Sequence, residues 1–222
     1  MIKIAIDGPG GAGKSTVAKA VAKKLGIVYV DTGALYRTIG YYVKEHGVDP
    51  KDAAAVSACL PNIKIEVRYE NGVQNVYLNG ENPGDKIRTP EMSMYASAVS
   101  AIGEVRSFLL DTQRDIAKKN SVIMDGRDIG TVILPDAEVK IFLTASPECR
   151  ARRRYDELRA KGQDVTLEDV LREMNERDEN DSNRKIAPAK AAEDAVLLDN
   201  SDLDFDGTVD AVIAIVKEKT EA

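Results

Sequence analysis

The run Gly8-Pro9-Gly10-Gly11-Ala12-Gly13-Lys14-Ser15-Thr16 constrains this chain more than any other feature. It fits the pattern G-x-x-x-x-G-K-[ST] at every fixed position. Such a loop works only between a strand that ends beneath it and a helix that begins at it. Its glycines let the backbone curl until successive N–H groups converge on an anion. Lys14 supplies a point charge for outer phosphates, the Ser15 hydroxyl suits Mg²⁺, and the positive end of the helix faces the same place. The flanks agree. Residues 1–7 alternate in the manner of a strand, with Ile2, Ile4 and Ile6. Val17, Val21 and Leu25 fall on one helical face, and Gly26 is a stop signal. Gly8 through Thr16 are therefore expected to cradle a nucleoside triphosphate, with Ser15 as the protein ligand of the metal.

A chain of 222 residues, 43% apolar and 31% charged, is large enough for one good core with inserted parts. The net charge of −6 argues against whole-molecule attraction to nucleic acid or to an anionic membrane. No apolar run approaches the roughly 20 residues of a membrane span. The chain enters a strand directly without a charged-then-apolar leader, so a cytoplasmic location is expected. Cys59 and Cys149 lack metal spacing and read as free thiols. His46, beside a Gly47-Val48-Asp49-Pro50 turn, reads as a surface residue.

Short apolar runs at 2–6, 27–30, 122–124, 139–143 and 196–198 are expected to be buried parallel strands separated by helices. That is an α/β fold: a phosphate-loop core with a five-stranded parallel sheet flanked by helices. Asp7, Asp31 and Asp125 follow three of the strands, and strand carboxyl ends should converge on one crevice. Between the second and third runs, Ile63, Ile65, Val67 and Tyr69 alternate, Glu70-Asn71-Gly72 is a turn, and Val76 and Leu78 alternate again. This predicts an inserted small antiparallel sheet. Helices are expected at 90–101 and 104–119, the second with Val105, Phe108, Leu109, Thr112 and Ile116 inward, and a last helix at 208–219.

The stretch 149–184 holds eight of the fourteen arginines. Ser146-Pro147-Glu148 starts a helix, Lys161-Gly162 ends it, and Thr166 caps a second with Leu167, Val170, Leu171 and Met174 as its stripe. The tract 176–184 is nearly all polar and is expected to be mobile or solvated. Arg159 and Arg172 suit surface ion pairs, whereas Arg153, Arg177 and Arg184 suit a lid over phosphates. The division expected is a core of about 1–31, 120–148 and 186–222, a monophosphate-binding insert of about 32–119 and a helical lid of about 149–185.

A phosphate loop alone does not distinguish a switch, a motor and a kinase. No Asn-Lys-x-Asp guanine reader is present. Tyr36 and Arg37, Arg106 and Arg127 instead gather near strand ends as a clamp for a second phosphate-bearing substrate. The chain resembles the bacterial cytidylate kinase family nearly end to end. The resemblance is carried by Ile6–Thr16, Asp31-Thr32-Gly33-Ala34-Leu35-Tyr36-Arg37, Lys86-Ile87-Arg88-Thr89, Asp125-Gly126-Arg127-Asp128-Ile129-Gly130-Thr131, Lys140-Ile141-Phe142-Leu143 and Glu176-Arg177-Asp178. It implies transfer of the ATP γ-phosphoryl group to CMP or dCMP, with Mg²⁺, by a monomer that binds neither nucleic acid nor membrane. Thr32 and Tyr36 would form the monophosphate pocket, and Arg37 and Arg127 would hold the acceptor phosphate. Ser97, Arg106 and Asp128 would read cytosine, and Arg177 and Asp181 would reach the sugar. Lys14, Arg127, Arg153 and Arg184 would carry the transfer itself. Asp125 is open between a role behind the metal and a structural ion pair. Other acceptors (UMP, AMP, a non-nucleotide) and a regulatory ATPase are the competing readings.

Overall fold

The structure, a computed structural model, describes residues 1–221. In chain order, β1 (Lys3–Asp7), α1 (Lys14–Leu25), β2 (Val28–Asp31), α2 (Thr32–Glu45) and α3 (Ala53–Cys59) lead into a hairpin of β3 (Ile65–Glu70) and β4 (Val73–Leu78). Then come α4 (Pro90–Ser100), α5 (Gly103–Lys119), β5 (Val122–Gly126), β6 (Val139–Thr144), α6 (Pro147–Ala160), α7 (Leu167–Asn183), β7 (Val196–Asp199) and α8 (Phe205–Glu221). The five expected runs form one parallel sheet in the order β2-β5-β1-β6-β7.

Strand alternation sorts the core into two layers. Ile4, Ile6, Ile123, Ile141 and Leu143 pack under α1 and α8, against Val17, Val21, Val209 and Val212. Ala5, Val30, Val122 and Met124 face the other way, toward Ala117 of α5 and Ile129 and Ile133. A third cluster joins α2, α4 and α5 to the hairpin through Leu35, Ile39, Val99, Leu109 and Val76. The turn of that hairpin has φ of +53° at Asn71 and +76° at Gly72, the left-handed pair a two-residue hairpin turn needs. Among the described residues no helix is long and apolar enough to cross a membrane.

One expectation is filled out and two are corrected. The insert carries an extra short helix, α3, and two 3₁₀ turns, at Leu60–Asn62 and Gly84–Arg88. The inward stripe of α5 is Val105, Arg106, Leu109, Gln113 and Ala117, rotated from the apolar stripe read in the sequence. Of its two polar residues, Arg106 lines a polar cavity, and Gln113 Nε2 donates to the Leu109 carbonyl of its own helix at 3.0 Å. The tract 176–184 is helical to Asn183 and solvated on one face only: Glu176, Glu179, Asn180, Ser182 and Asn183 are exposed, whereas Arg177, Asp178 and Arg184 are half-buried and Asp181 is buried. The inward side chains leave water because they pair with one another and with α4, as Asp181 does with Arg177 and Ser97, which offsets the cost of burying them. Arg159 and Arg172 do make exposed ion pairs, with Asp164 and Asp169.

Candidate active site

The loop between β1 and α1 is held by close contacts that only glycine permits. Gly8 has φ of +147°, and a Cβ there would lie 2.0 Å from the Leu143 carbonyl oxygen. Gly11 has φ of +73°, and a Cβ would meet Met174 of α7 at 2.6 Å. Helices α6 and α7 are fastened to the same loop. Gly10 N–H donates to Asp178 Oδ1 at 3.2 Å, while Arg150 Nη1 donates to Asp178 Oδ2 at 2.5 Å and to the Gly10 carbonyl at 2.9 Å.

Lys14 is buried, and its Nζ donates to the Pro9 carbonyl at 2.6 Å. Burial, with Arg127 nearby, pushes its pKa well below the ordinary lysine value. Ser15 Oγ donates to Asp125 Oδ2 at 2.7 Å, and Tyr29 O–H donates to Oδ1 at 2.8 Å. Two hydroxyl donors, rather than an ion pair, thus hold Asp125. Burial and the neighbouring Asp31 raise its pKa. Asp7 accepts from the Ile129 and Gly130 N–H groups at 2.7 and 2.8 Å. Burial pushes its pKa up to about 6 against those two bonds. The segment Ile129–Ile133, a single π turn, is thereby tied to the end of β1.

A cavity of about 900 Å³ opens over this loop. Gly10, Gly11, Gly13, Lys14, Ser15 and Thr16 line it, with Arg37, Arg127, Arg153 and Arg177 opposite and Leu203 and Phe205 at an apolar edge. Gly8, Pro9 and Ala12 shape the loop without lining the cavity. Arg153 is held on Asn200, donating to Oδ1 at 3.0 Å and to the carbonyl at 2.8 Å.

A second, narrower space of about 50 Å³ shares Gly33, Arg37, Gly126, Arg127 and Arg177 with the first. Thr32, Tyr36, Ser97, Arg106, Asp128, Asp181 and Arg184 complete it, together with Ser100. Every acceptor-side residue expected from the sequence falls here. Arg184, expected over the phosphates, stands in this second space: its Nη1 donates to Ser100 Oγ at 3.0 Å and its Nη2 lies 3.6 Å from Asp128 Oδ1. Arg106 pairs with the other oxygen of Asp128 and lies 5.7 Å from the Tyr36 ring centroid. Ser97 Oγ donates to Asp181 Oδ1 at 2.9 Å, and Arg127 Nε donates to Oδ2 at 3.1 Å. Burial would raise the Asp181 pKa, but Arg127 and Arg177 overcome it and hold the carboxyl low. At Asp128 burial wins over Arg106 and Arg184, and the pKa is raised.

Five arginines face two aspartates in this space, an excess of positive charge. Among the described residues six buried side-chain polar atoms lack a hydrogen-bond partner, and four of them line it: Tyr36 O–H, Arg37 Nε, Arg177 Nε and Arg184 Nη2. Residues the sequence did not single out for the site include Arg150, Asp178 and Asn200. Asp178 falls within the Glu176-Arg177-Asp178 block but had no role assigned, and no local pattern marks Arg150 or Asn200, whose partners are distant atoms brought together only by the fold.

A phosphate loop beneath one cavity and a cationic second cavity beside it, on a parallel sheet in this strand order, define a phosphate-loop phosphotransferase. The sequence pattern described as cytidylate kinase matches residues 4–218. The chain belongs to the cytidylate kinase family. It is 52% identical over 217 residues to a protein of Fervidobacterium nodosum named cytidylate kinase, covering 98% of this chain and 97% of the relative. A protein of the same name from Thermosipho melanesiensis is 50% identical over 217 residues, with 98% and 97% covered. Among solved structures, an uncharacterized protein from Eubacterium ventriosum shares the fold at a TM-score of 0.53 and 14% identity, over 98% of this chain and 99% of that one.

Proposed function

We propose that the two cavities are the donor and acceptor halves of one site, and that the chain transfers the γ-phosphoryl group of ATP to CMP or dCMP. The observation that carries this reading is the set of unpartnered buried donors in the second space. Buried donors without partners are costly. A phosphomonoester with a polar base would satisfy them and neutralise the surplus guanidinium charge.

In the transfer, an acceptor phosphate oxygen forms a bond to the γ-phosphorus while the bond to the β-phosphate oxygen breaks, and ADP leaves with that electron pair. The nucleophile is already anionic, so no base is required. The protein contributes in-line placement and charge neutralisation. Lys14 is held on the Pro9 carbonyl, and phosphates beside it would favour the ammonium form that burial and Arg127 disfavour. Arg37 and Arg127 orient the acceptor phosphate, and Asp128 accepts from the cytosine amino group, which uracil lacks. Arg177 and Asp181 serve the sugar. Arg153 serves the donor side. Arg184 would add to the charge around the acceptor from its place beside Asp128.

The donor set suits Mg²⁺. Ser15 Oγ donates its hydrogen bond to Asp125, which leaves the oxygen lone pairs for a cation. Among the described residues no cluster of three or more His, Cys, Asp or Glu is placed to hold a metal. Ser15 would hold the ion, with phosphate oxygens and water completing its ligands. When bound, Mg²⁺ supplies neutralisation of phosphoryl oxygen charge. At about 50 Å³ the acceptor space is smaller than a nucleotide, so binding requires it to widen. Both half-sites come from one chain, so a cytoplasmic monomer suffices.

ADP release measured with CMP, dCMP, UMP and AMP tests the reading. Turnover should depend on the acceptor and be fastest with CMP or dCMP. ATP hydrolysis at one rate with and without every acceptor would overturn it.

A further inference from the structure

β2 is an edge strand of the parallel sheet, paired only to β5. The backbone N–H and C=O groups on its open side need partners. At Asp31, the last residue of β2, one side chain from the inserted hairpin takes both. Asp31 N–H donates to Gln74 Oε1 at 2.8 Å, and Gln74 Nε2 donates to the Asp31 carbonyl at 3.1 Å. A primary amide presents the same donor and acceptor as a neighbouring strand residue, so Gln74 acts as a sixth strand one residue long.

Gln74 is itself well anchored. β4 pairs with β3 along its whole length. Two residues on, hence on the same strand face, Val76 is buried with Leu60, Ile63 and Ile87. Asp31 is where the acceptor side is set up. Its carboxylate caps α2 through the Ala34 N–H at 2.9 Å and accepts from Arg37 at 2.9 Å and Arg88 at 3.4 Å. Arg37 lines both cavities and keeps its buried Nε without a hydrogen-bond partner.

We infer that Gln74 is a positioning residue for the acceptor phosphate, acting through Asp31 and Arg37, and that the inserted hairpin is a clamp on the acceptor half-site. The inference rests on the phosphotransfer reading above. The amide fixes the Asp31 backbone, the fixed backbone aims the carboxylate, and the carboxylate aims Arg37.

The test compares Gln74→Met, of similar length without hydrogen bonds, with Gln74→Asn, which keeps the amide out of reach. Asn75→Ala is the control: it lies on the opposite strand face, with its hydrogen bonds confined to Glu70, Val73 and Asn82. Kinetics are measured against CMP and ATP separately, and amide hydrogen exchange is followed at Asp31. Losing two hydrogen bonds that hold the clamp should raise the KM for CMP about tenfold in both Gln74 variants. The KM for ATP should stay within about twofold, Asn75→Ala should resemble the parent, and Asp31 exchange should speed up. An unchanged KM for CMP in folded Gln74→Asn overturns the inference. So does a parallel rise for CMP and ATP, or unchanged Asp31 exchange. If the parent protein shows no CMP-dependent ADP release, the reaction assigned above fails instead, and Asp31 exchange still decides whether the clamp exists.

Discussion

Replacing Asp128 by Asn keeps the side chain's size and removes its charge between two guanidiniums. Arg106 hydrogen-bonds one carboxylate oxygen, and Arg184 Nη2 lies 3.6 Å from the other. Breaking a buried pair by removing one partner commonly costs about 3–5 kcal/mol. Here the cost is smaller, because burial outweighs both cations and raises the Asp128 pKa, so the ionised form contributes little net stability. A change of about 1 kcal/mol, or roughly 2–4 °C in Tm for a chain of this size, is expected. Selectivity should move much further. Asn has one acceptor oxygen, which Arg106 will take, and its NH₂ then faces the base. Cytosine's amino group meets a donor, whereas the O4 of uracil meets a partner. Loss of one base-edge contact is worth about 1–3 kcal/mol, so the CMP-to-UMP ratio of kcat/KM should fall by about tenfold to a hundredfold. Coupled ADP-release assays with each acceptor, with Tm read by calorimetry, give both quantities. A ratio within twofold of the parent, in a variant that is folded at the assay temperature, refutes the placement of Asp128 at the base.

Lys14→Met should cut turnover about 10²–10³-fold while leaving Tm unchanged or higher, because burial and Arg127 already disfavour the ammonium in the free protein. A lower Tm in calorimetry would contradict that. Asp7, with its pKa raised to about 6 from 3.8, binds a proton more tightly folded than unfolded. Its stabilising contribution, about 3 kcal/mol, is therefore complete below about pH 4 and is lost as pH rises through about 6. Asp7→Asn should flatten the stability profile between pH 4 and 7 in denaturant titrations, and an unchanged slope would remove Asp7 as its source. Gly11→Ala combines φ of +73° with a contact 2.6 Å from Met174 Cε, so it should cost about 1–3 kcal/mol and weaken ATP binding more than CMP binding. Calorimetric titration with each nucleotide checks the order.

The parts legible in the sequence were those with a short period or a fixed spacing. Gly8–Thr16 announces its own strand and helix, and each of the five apolar runs became a strand of the parallel sheet. The inserted hairpin was readable from alternation and from the Asn71-Gly72 turn. What was not readable depended on partners far away in the chain. The tract 176–184 looks solvated because each residue is polar. Yet Asp181 is buried by Ser97, 84 positions earlier, and by Arg127, 54 earlier. Gln74 carries no local mark either, since its partner is the backbone of Asp31, 43 positions away. The stripe of α5 misled for a related reason. Hydrophobic periodicity finds the face that packs on apolar neighbours, whereas Arg106, which lines the second space, and Gln113 are polar and yet buried.

The same helix, α7, touches both halves of the site within about two turns. Asp178 accepts from the Gly10 N–H of the donor loop; Arg177 lines both cavities; Asp181 spans Ser97 and Arg127 on the acceptor side; and Arg184 follows directly, beside Asp128. A helix is stiff over that length, so a shift of α7 that opens the acceptor space also moves the carboxylate resting on the phosphate loop. Asp178 occupies a backbone donor of the kind that a phosphate would use, and Arg150 neutralises it there. Phosphate at the loop and phosphomonoester in the second space therefore act on the same rigid element. By linkage, each should alter the affinity for the other, whatever the order in which they arrive.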